Sequence, residues 1–595
     1  MITVKKIVVL TFLILSFAGY SQRNPEITAR ELKTDVYFLA SDSLKGRKPG
    51  TKEADIAADY IRKQFIASGL KLICDNGFQY FEIVTDVTAG SHNTLQFDDF
   101  HGTFEKDFMP VAYSSYGTVS NTVVFTGYGF DIDQDSLKWN DYEGVDVKGK
   151  WVMLFRGDPE LDNNESKFIP YTEIRGKILV AKDHGAAGVL IVTPVEVDKD
   201  DKLIGLHSEN NDVTSGIPVI NIKREVGDML LKSSGYKLDS LEKILNKTRK
   251  PRTLVLPLVV TASAEIIQKK AKTENVIGMI EGTDPVLKNE YIVVGGHYDH
   301  LGFGGPGTGS RMPDTVAIHN GADDNASGTA MVIELAGKLT AEKNQLKRSI
   351  IFISFSGEEM GLLGSKYFVD HSPVDLKKIK AMFNFDMVGR FDKEKNSISI
   401  SGTGTSLEAD SIIRIYEKGI PFTVTHSPDG YGPSDHASFY ASNIPVFFFT
   451  TGSHMDYHTP FDKANKLDYQ KEKEIGDFSC NLIMNVDNMP KALTFHESGR
   501  KEGYSRGGRR LKVTLGIMPD FAGTEKKGLR VDGVTKDGPA YRGGMLKGDI
   551  ITAINGLSVG NIYEYMSRLG KLKQGQTINV EVIRNGKNEI LIIQL

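Results

Sequence analysis

The sequence predicts an α/β protein whose largest part is a mostly parallel β-sheet covered by helices. The first observation is the alternation of strand-like and helix-like segments through the second half of the chain, which is typical of parallel sheets. The second is a series of short strands between glycine turns ahead of that half, which indicates a β-rich insert. The third is a separate C-terminal stretch, residues 511–595, that follows a polar segment with almost no apolar residues.

Bulk composition restricts the classes of protein that need to be considered. The 595 residues are too many for one hydrophobic core, so several domains are expected. A formal net charge of -4 argues against a dedicated nucleic-acid surface. The two cysteines, Cys74 and Cys480, are too few for a disulfide-rich scaffold or a thiolate zinc cluster. Whether they pair with each other stays open at this point.

Residues 1–21 have the features of a cleaved leader peptide. Lys5 and Lys6 precede an apolar run from Ile7 to Ala18, and small residues follow near Ser21. An N-terminal membrane anchor is the alternative, but the apolar run is short for a bilayer span. We therefore predict an exported protein, periplasmic or extracellular, with no membrane span after leader removal.

The first half of the mature chain contains one clear helix and then a β-rich region. Residues 54–70 carry apolar side chains at helical spacing and end at Gly69. Strand-like runs at 123–130 and 149–157 and a helix–strand unit at 177–193 follow. The stretch 120–255 resembles a protease-associated domain, and this resemblance implies a lid or docking insert without catalytic residues.

The second half contains the predicted parallel sheet. Strands and helices alternate here, which implies a largely parallel sheet between layers of helices. Strands are predicted at 275–283, 291–294, 349–356, 381–386 and 446–451, and helices at 326–339, 360–370 and 407–417.

Residues 497–510 are predicted to form a linker, since they are rich in glycine, serine, arginine and lysine. The unit that follows, residues 511–595, resembles a PDZ domain of the bacterial protease type. This resemblance implies that Leu515, Gly516 and Ile517 present backbone N–H groups to the C-terminus of a bound peptide. A spacer, or a domain that packs against the catalytic body, is the alternative.

Residues with metal-binding side chains lie where the predicted elements of the second half end or begin. Because ligands collect at the carboxyl ends of strands in α/β sheets, these side chains are expected to converge. Imidazole and carboxylate without thiolate favour zinc, with cobalt or manganese as substitutes. Each residue has a structural alternative when taken alone, for example a helix cap or a turn. The candidates are His297, Asp324, Glu359, Asp386 and His458.

Two further carboxylates fit supporting roles in such a site. Glu358 precedes Glu359 directly after a buried strand, so that one carboxylate could bind a cation while the other moves protons. Asp299 lies two residues after His297, a spacing that suits a carboxylate behind a metal-bound imidazole.

The motifs around these residues, taken together and in order, resemble the di-zinc aminopeptidase family, which includes bacterial leucyl aminopeptidase and relatives of glutamate carboxypeptidase. The resemblance covers about residues 263–490 and a Leu-Ala-Ser-Asp lead-in at residue 39. The motifs are Gly-Gly-His-Tyr-Asp at 295–299, Gly-Ala-Asp-Asp-Asn-Ala-Ser-Gly at 321–328, Ser-Gly-Glu-Glu at 356–359, Asn-Phe-Asp-Met-Val-Gly at 384–389 and Tyr-His-Thr-Pro at 457–460.

The resemblance implies a role for each residue. His297 and Asp386 would hold one zinc ion, Glu359 and His458 the other, and Asp324 would bridge them. Glu358 would be the general base, Asp299 the partner of His297, and Tyr457 the residue that stabilises the oxyanion. Asp323 would be a neighbour of the site and not a ligand, and Ser434-Asp435-His436 would shape it.

The function expected from the sequence is that of an exported metallo-exopeptidase that hydrolyses peptide bonds with a water activated by two zinc ions. An aminopeptidase is favoured, and a carboxypeptidase or dipeptidase on the same scaffold is the alternative. A non-catalytic, receptor-like binding protein would be expected to have lost ligands or the base. Peptides are the expected partners, with a peptide C-terminus on the PDZ-like unit and no nucleic acid, whereas side-chain preference and oligomeric state stay open.

The predicted domain order is a leader (1–21), the N-terminal part of the peptidase domain (22–119), the protease-associated insert (120–255), the di-zinc peptidase domain (256–496), the linker (497–510) and the PDZ-like domain (511–595). The glycine-rich segment 301–320, between the first ligand and the bridging one, is predicted to form a mobile lip over the site.

Overall fold

The computed structural model describes residues 25–134, 137–161, 163, 165–206, 213–498, 513–519, 525, 527–535 and 537–595. The predicted leader lies outside these residues, as does the predicted linker apart from positions 497 and 498. In the part of the chain that is described, no helix is both long and apolar enough to cross a membrane. Both cysteines are free, with Cys74 exposed and Cys480 buried.

The chain begins with two helices whose first turns are capped by threonine. The hydroxyl of Thr28 accepts a hydrogen bond from the Glu31 N–H, and Thr51 does the same for Ala54. The first elements are α1 (Ala29–Leu39), α2 (Lys52–Ala67), β1 (Lys71–Leu72) and β2 (Phe78–Ala89).

The next elements form the insert, whose eight-stranded sheet has the order β4-β3-β12-β6-β9-β10-β11-β5. This sheet begins before residue 120 and ends after residue 255. Its elements are β3 (Thr94–Phe97), β4 (Phe100–His101), β5 (Phe108–Pro110), β6 (Gly117–Phe125), β7 (Asp131–Gln134), β8 (Leu137–Asn140), β9 (Trp151–Phe155), α3 (Ile174–Asp183), β10 (Gly188–Val192), β11 (Val219–Ile222), α4 (Arg224–Leu231), α5 (Leu238–Thr248) and β12 (Leu254–Ala264); of these, β7 and β8 pair only with each other.

The largest sheet has nine strands in the order β1-β13-β15-β14-β16-β19-β17-β18, with β2 paired to β13. Its four central strands, β15, β14, β16 and β19, run parallel. Its remaining elements are β13 (Ile266–Ile280), β14 (Tyr291–His297), α6 (Gly328–Ala341), β15 (Ser349–Phe355), α7 (Leu363–Asp370), β16 (Ile379–Phe385), β17 (Ser397–Ser401), α8 (Ala409–Tyr416), β18 (Thr423–Ser427), α9 (His436–Tyr440), β19 (Val446–Thr450) and α10 (Tyr469–Asn488).

Helices cover both faces of this sheet, as the buried strand pattern requires. Alternate residues of β15 belong to two separate cores, with Ile350 and Phe352 in one and Ile351 and Ile353 in the other. The first core is closed by α1, α2, α6 and α10, and the second by α7 and α9. A strand that is buried on both faces explains why Ser349–Phe355 is continuously apolar apart from its serines.

The C-terminal unit is a sheet in the order β20-β21-β22-β24-β25, with β23 paired to β22, around its own core. Its elements are β20 (Ile517–Pro519), β21 (Leu529–Val534), α11 (Pro539–Arg542), β22 (Ile550–Ile554), β23 (Leu557–Ser558), α12 (Ile562–Gly570), β24 (Thr577–Arg584) and β25 (Lys587–Gln594). The predicted fold class is therefore confirmed: a mixed α/β core, a β-rich insert and a small C-terminal domain.

Two predicted elements are shorter in the structure because backbone turns interrupt them. The strand predicted at 123–130 ends at Phe125, since Gly127 and Gly129 have φ values of 52° and 72°. The helix predicted at 360–370 begins only at Leu363, because Gly361 has a φ of 104°. Such left-handed conformations are compatible with neither a strand nor a right-handed helix.

Candidate metal centre

The ends of four neighbouring strands bring the predicted site residues together. His297 is the last residue of β14, and Asp386 directly follows β16. Glu358 and Glu359 follow β15, and His458 lies in the loop after β19. Since these strands are parallel and adjacent, their carboxyl ends form one edge of the sheet, and the side chains meet there.

One group of possible ligands surrounds the imidazole of His297, which is fully buried. Its Nε2 atom lies 3.4 Å from Oδ1 of Asp324 and 3.5 Å from Oδ2 of Asp386. That nitrogen has no hydrogen-bond partner. In a tetrahedral site with bonds of about 2.1 Å, two ligand atoms lie about 3.4 Å apart, so these separations fit a shared ion better than hydrogen bonds.

A second group lies on the other side of Asp324. Nε2 of His458 is 3.1 Å from Oδ2 of Asp324 and 3.1 Å from Oε2 of Glu359. The two carboxylate oxygens of Asp324 therefore face different histidines, His297 and His458. This is the arrangement expected of a carboxylate between two cations.

The segment that carries Asp324 is held by buried hydrogen bonds. Gly321 precedes it with a φ of 54°, and the carboxylate of Asp462 accepts hydrogen bonds from the backbone N–H groups of Asp323 and Asp324. The side chain of Asp323 accepts hydrogen bonds from the backbone of Gly389 and Arg390. Asp323 thus joins this segment to the loop after β16.

Glu358 and Asp299 complete the pocket. Oε2 of Glu358 lies 3.8 Å from Nε2 of His297. The carboxylate of Asp299 is 3.7 Å from Nδ1 of His297, whereas the Asp299 carbonyl oxygen accepts a hydrogen bond from that nitrogen at 3.2 Å. Its carboxylate also accepts from the backbone N–H of Glu358 at 3.1 Å. Asp299 therefore fixes the glutamate loop as well as facing the imidazole.

The electrostatics of the pocket show a surplus of buried negative charge. Burial alone would lower the pKa of His297, but the carboxylates of Glu358 and Asp386 raise it well above its usual value. Burial would raise the pKa of Asp324, but His297 and His458 hold it well below its usual range. Burial, together with Glu359 and Asp386, raises the pKa of Glu358. Carboxylates that destabilise one another in this way are stabilised by bound cations.

Tyr457 lies directly beside the second group of ligands. Its ring stacks on that of His458 with centroids 3.8 Å apart. Burial and the nearby carboxylates of Asp324 and Glu359 raise the pKa of its hydroxyl, which therefore stays protonated and able to donate a hydrogen bond. His436, by contrast, stacks on Phe448, and burial lowers its pKa to about 3.

Three residues near the site were not singled out from the sequence. Nδ1 of His300 lies 2.7 Å from Oε1 of Glu359, and His300, Asp324 and Glu359 can direct one ligand atom each to a common point. The carbonyl oxygen of Gly309, in the predicted lip, accepts a hydrogen bond from Nδ1 of His458. The spacing of His300 after His297 was a signal that could have been used, whereas nothing local marks Gly309.

The third residue is Arg47, whose guanidinium is fully buried and lies behind the site. It donates hydrogen bonds to the carbonyl oxygens of Tyr298 at 2.7 Å, Asn320 at 2.6 Å and Gly321 at 3.0 Å. These carbonyls flank the segments that carry His297 and Asp324. A residue of the N-terminal segment thus holds two site-forming loops together.

In the C-terminal domain, Leu515 and Gly516 directly precede β20, and Ile517 is the first residue of that strand. Leu515 is buried in the domain core, while Gly516 and Ile517 line a large cavity. The same cavity is lined by Glu358, Glu359 and His458. Part of the predicted peptide-binding loop and part of the candidate metal centre therefore line one cavity.

Family models match three parts of the chain. Residues 275–483 match peptidase family M28, residues 115–230 match the PA domain, and residues 509–595 match the PDZ domain. All the candidate ligands lie within the first of these ranges.

Curated relatives and solved structures are similar over longer stretches. Aminopeptidase YwaD of Bacillus subtilis is 27% identical over 360 residues, which cover 59% of this chain and 66% of that protein. A probable leucine aminopeptidase of Trichophyton verrucosum is 29% identical over 281 residues, covering 44% and 69%. The match thus spans about two thirds of the length of these relatives. The structure of a zinc aminopeptidase from Bacillus subtilis covers 79% of this chain and 98% of its own, with 22% identity and a TM-score of 0.47.

The family models agree with the architecture and with the motifs from which the resemblance was drawn. This chain carries a peptidase domain of family M28 together with a PA domain and a PDZ domain.

Proposed function

We propose that this protein is a metal-dependent aminopeptidase that binds two zinc ions and removes residues from the amino ends of peptides. One observation carries the proposal: the predicted ligands and a further glutamate meet in one buried pocket at the carboxyl edge of the parallel sheet. The matched relatives named as aminopeptidases support an exopeptidase that acts at the amino end.

In this proposal His297 and Asp386 hold one ion, Glu359 and His458 hold the other, and Asp324 bridges them. The two orientations of the Asp324 oxygens support this division. When bound, the two ions would polarise the scissile carbonyl group and lower the pKa of a water molecule. Cobalt or manganese could replace zinc in a site built from imidazole and carboxylate.

Glu358 is the proposed general base. Its carboxylate lies within the pocket, 3.8 Å from Nε2 of His297, and burial raises its pKa well above its usual value, which favours proton uptake by this group. It would take a proton from the attacking water and pass that proton to the leaving amine. Asp299 would keep it in place through the Glu358 backbone N–H.

Tyr457 is proposed to donate a hydrogen bond to the oxyanion that forms as the water attacks. Its protonated hydroxyl and its stacking on His458 support this role, since a donor held beside the site needs no reorganisation during the reaction.

We also propose export, which rests on the leader-like residues 1–21 and is tested by the N-terminal sequence of the secreted protein.

The test compares metal content and hydrolysis in the wild type and in Glu358→Gln. The wild type should contain two zinc ions per chain and should hydrolyse aminoacyl substrates, whereas N-blocked dipeptides should be left intact. Glu358→Gln should keep its metal and lose turnover by a factor of about 10³ or more, because the general base is removed.

Either of two results would contradict the proposal. Hydrolysis of N-blocked dipeptides in preference to free ones would indicate a carboxypeptidase on the same scaffold. Full turnover by Glu358→Gln would remove that residue from the base role.

A further inference from the structure

One open cavity of about 2460 Å³ is lined by residues of all three domains. This volume is well above the roughly 300–1,000 Å³ of a typical small-molecule site, so an extended peptide is a better occupant than a single amino acid. Glu358, Glu359 and His458 line it on the peptidase side. Gly516 and Ile517 line it on the PDZ side.

The PDZ wall of the cavity has the features of a strand-addition site. Among the described residues β20 is the outermost strand of its sheet and pairs with β21 on one side. The N–H of Thr535 donates to the carbonyl of Gly516, which makes the next pair, Ile517 and Val534, a non-hydrogen-bonded one. The backbone N–H and C=O of Ile517 therefore point to the outer edge, where a peptide strand can pair with them.

The loop before β20 is suited to a carboxylate. The carbonyl oxygens of Leu515 and Gly516 accept hydrogen bonds from Ala540 and Thr535 within the domain. With these acceptors turned inward, the loop can offer the N–H of Ile517 to an anion without carbonyl repulsion, whereas the N–H of Gly516 donates to the hydroxyl of Thr514 at 3.0 Å. Lys571 and Lys573, both exposed, line the same cavity just after α12 and add positive charge to this wall.

Ion pairs fix the PDZ domain against both other domains. Arg568 is buried and forms a two-pronged pair with Asp183 at the end of α3 in the PA domain. Lys182 pairs with Glu564 at 2.9 Å.

On the peptidase side, Lys366 pairs with Asp532 at 3.0 Å, and Arg530 pairs with Asp370 at 2.9 Å. Pairs on both sides hold the edge of β20 at the cavity that Glu358 and Glu359 also line. A molecule bound in the Glu358 pocket can therefore also contact the outer edge of β20.

We infer that a single substrate peptide occupies both sites, with its amino end at the Glu358 pocket and its free C-terminal carboxylate on the Leu515–Ile517 loop. This inference rests on the proposed aminopeptidase function and adds a substrate class to it. The preferred substrates are extended peptides with a free carboxyl end that are long enough to reach the loop. Shorter peptides lose the second contact, and their turnover falls.

The first experiment uses the wild-type protein and a set of peptides of increasing length, each made as a free acid and as a C-terminal amide. The value of kcat/KM should rise at the length that reaches the loop, and from that length on the free acid should be preferred by about ten-fold or more. A carboxylate that accepts hydrogen bonds from backbone N–H groups accounts for a preference of this size. An aminoacyl anilide, which is too short to reach the loop, reports the basal activity.

The second experiment changes the loop. Gly516 has a φ of 71°, so Gly516→Asp strains the backbone of the loop, and the added side chain meets Thr535 and Pro539 within the domain. Gly586→Asp is the matched control, because Gly586 has a φ of 76° in an exposed turn of the same domain and lies away from the cavity. Gly516→Asp should abolish the preference for the free acid, and Gly586→Asp should keep it.

The outcomes separate the inference from the proposed function. Absence of anilide hydrolysis in the wild type would remove both. Anilide hydrolysis with no dependence on peptide length or on the free carboxylate would overturn the inference alone. The same holds if free C-terminal peptides bind the PDZ loop without being cleaved faster, because the domain would then recruit a separate protein. The amide comparison needs no variant, so it decides the matter even if Gly516→Asp fails to fold.

Discussion

Two clusters of buried charged groups in the described part of the chain, one in the PA domain and one at the candidate metal centre, are organised in opposite ways. In the PA domain, the ammonium of Lys177 is buried and donates to the carbonyl oxygens of Phe155 at 2.9 Å and Gly157 at 2.5 Å. It also lies over the rings of Tyr128 and Phe130. These contacts to the Lys177 ammonium are all made by backbone carbonyls and aromatic rings of the PA domain.

The candidate metal centre is buried to the same degree but lacks this internal balance. Nε2 of His297 and Nε2 of His300 have no hydrogen-bond partners, and the same is true of both carboxylate oxygens of the neighbouring Asp435. Carboxylates outnumber imidazoles in this pocket. Buried charge that is satisfied by the fold is structural, whereas buried polar groups without partners in the protein are suited to binding a ligand.

The largest expected effect comes from removing the carboxylate between the two ligand groups. Asp324→Ala should lose both ions and nearly all turnover, since Asp324 faces His297 on one side and His458 on the other. Metal analysis together with aminoacyl hydrolysis measures this. Asp314→Ala, which removes an exposed carboxylate from the nearby loop, is the control and should change neither. Retention of both ions by Asp324→Ala would contradict the bridging role of Asp324, and with it the contrast drawn between the metal centre and the Lys177 cluster.

A smaller effect is expected at His300. His300→Leu should weaken metal affinity by about 10- to 100-fold, because it removes the hydrogen bond that orients Glu359. His300→Asn keeps a donor near the position of Nδ1 and should recover most of the affinity. Zinc titration of the metal-free variants measures both. Equal losses in Leu and Asn would mean that His300 contributes packing only.

The smallest effect on activity is expected in the PA domain, where Lys177→Met should leave anilide turnover unchanged and alter stability in a pH-dependent way. Burial lowers the pKa of Lys177 to about 7, although Asp141 and Asp158 partly oppose this. Its value in the unfolded chain is about 10.4. Between these values the unfolded chain binds more protons than the folded one, so wild-type stability rises with pH relative to Lys177→Met by up to about 1.4 kcal/mol per pH unit.

Thermal unfolding of both full-length proteins between about pH 7 and pH 9 measures this difference, which follows from the stated pKa values. A difference in unfolding temperature that does not change with pH would mean that the lysine is charged and fully compensated throughout. Lowered turnover in Lys177→Met would instead connect the PA cluster to catalysis.

The strands that position the site were predictable from sequence because their signal is local. Ser349–Phe355 and Ile379–Phe385 are mostly apolar runs, and the carboxylates that follow them, Glu358, Glu359 and Asp386, stand out against these runs. The rule that parallel strands share a carboxyl edge then brings these residues together.

The contacts that were missed join residues far apart in the sequence. His300 meets Glu359 across 59 positions, and Arg568 meets Asp183 across 385. The docking of the PDZ domain against the cavity depends on such pairs, and no periodic pattern encodes them. The C-terminal end of the strand predicted at 123–130 was wrong for a different reason. Glycines with positive φ end the strand although the alternation of side chains continues past them.

Arg47 has a consequence for the order in which the protein is made. Its guanidinium joins carbonyls at Tyr298, Asn320 and Gly321, which leave the ribosome long after it does. The PA sheet, whose strands lie between residues 94 and 264, is complete before any of those carbonyls has been synthesised. The pocket that Arg47 helps to close can therefore form only after the whole insert has been synthesised, because the partners of Arg47 lie beyond it in the chain.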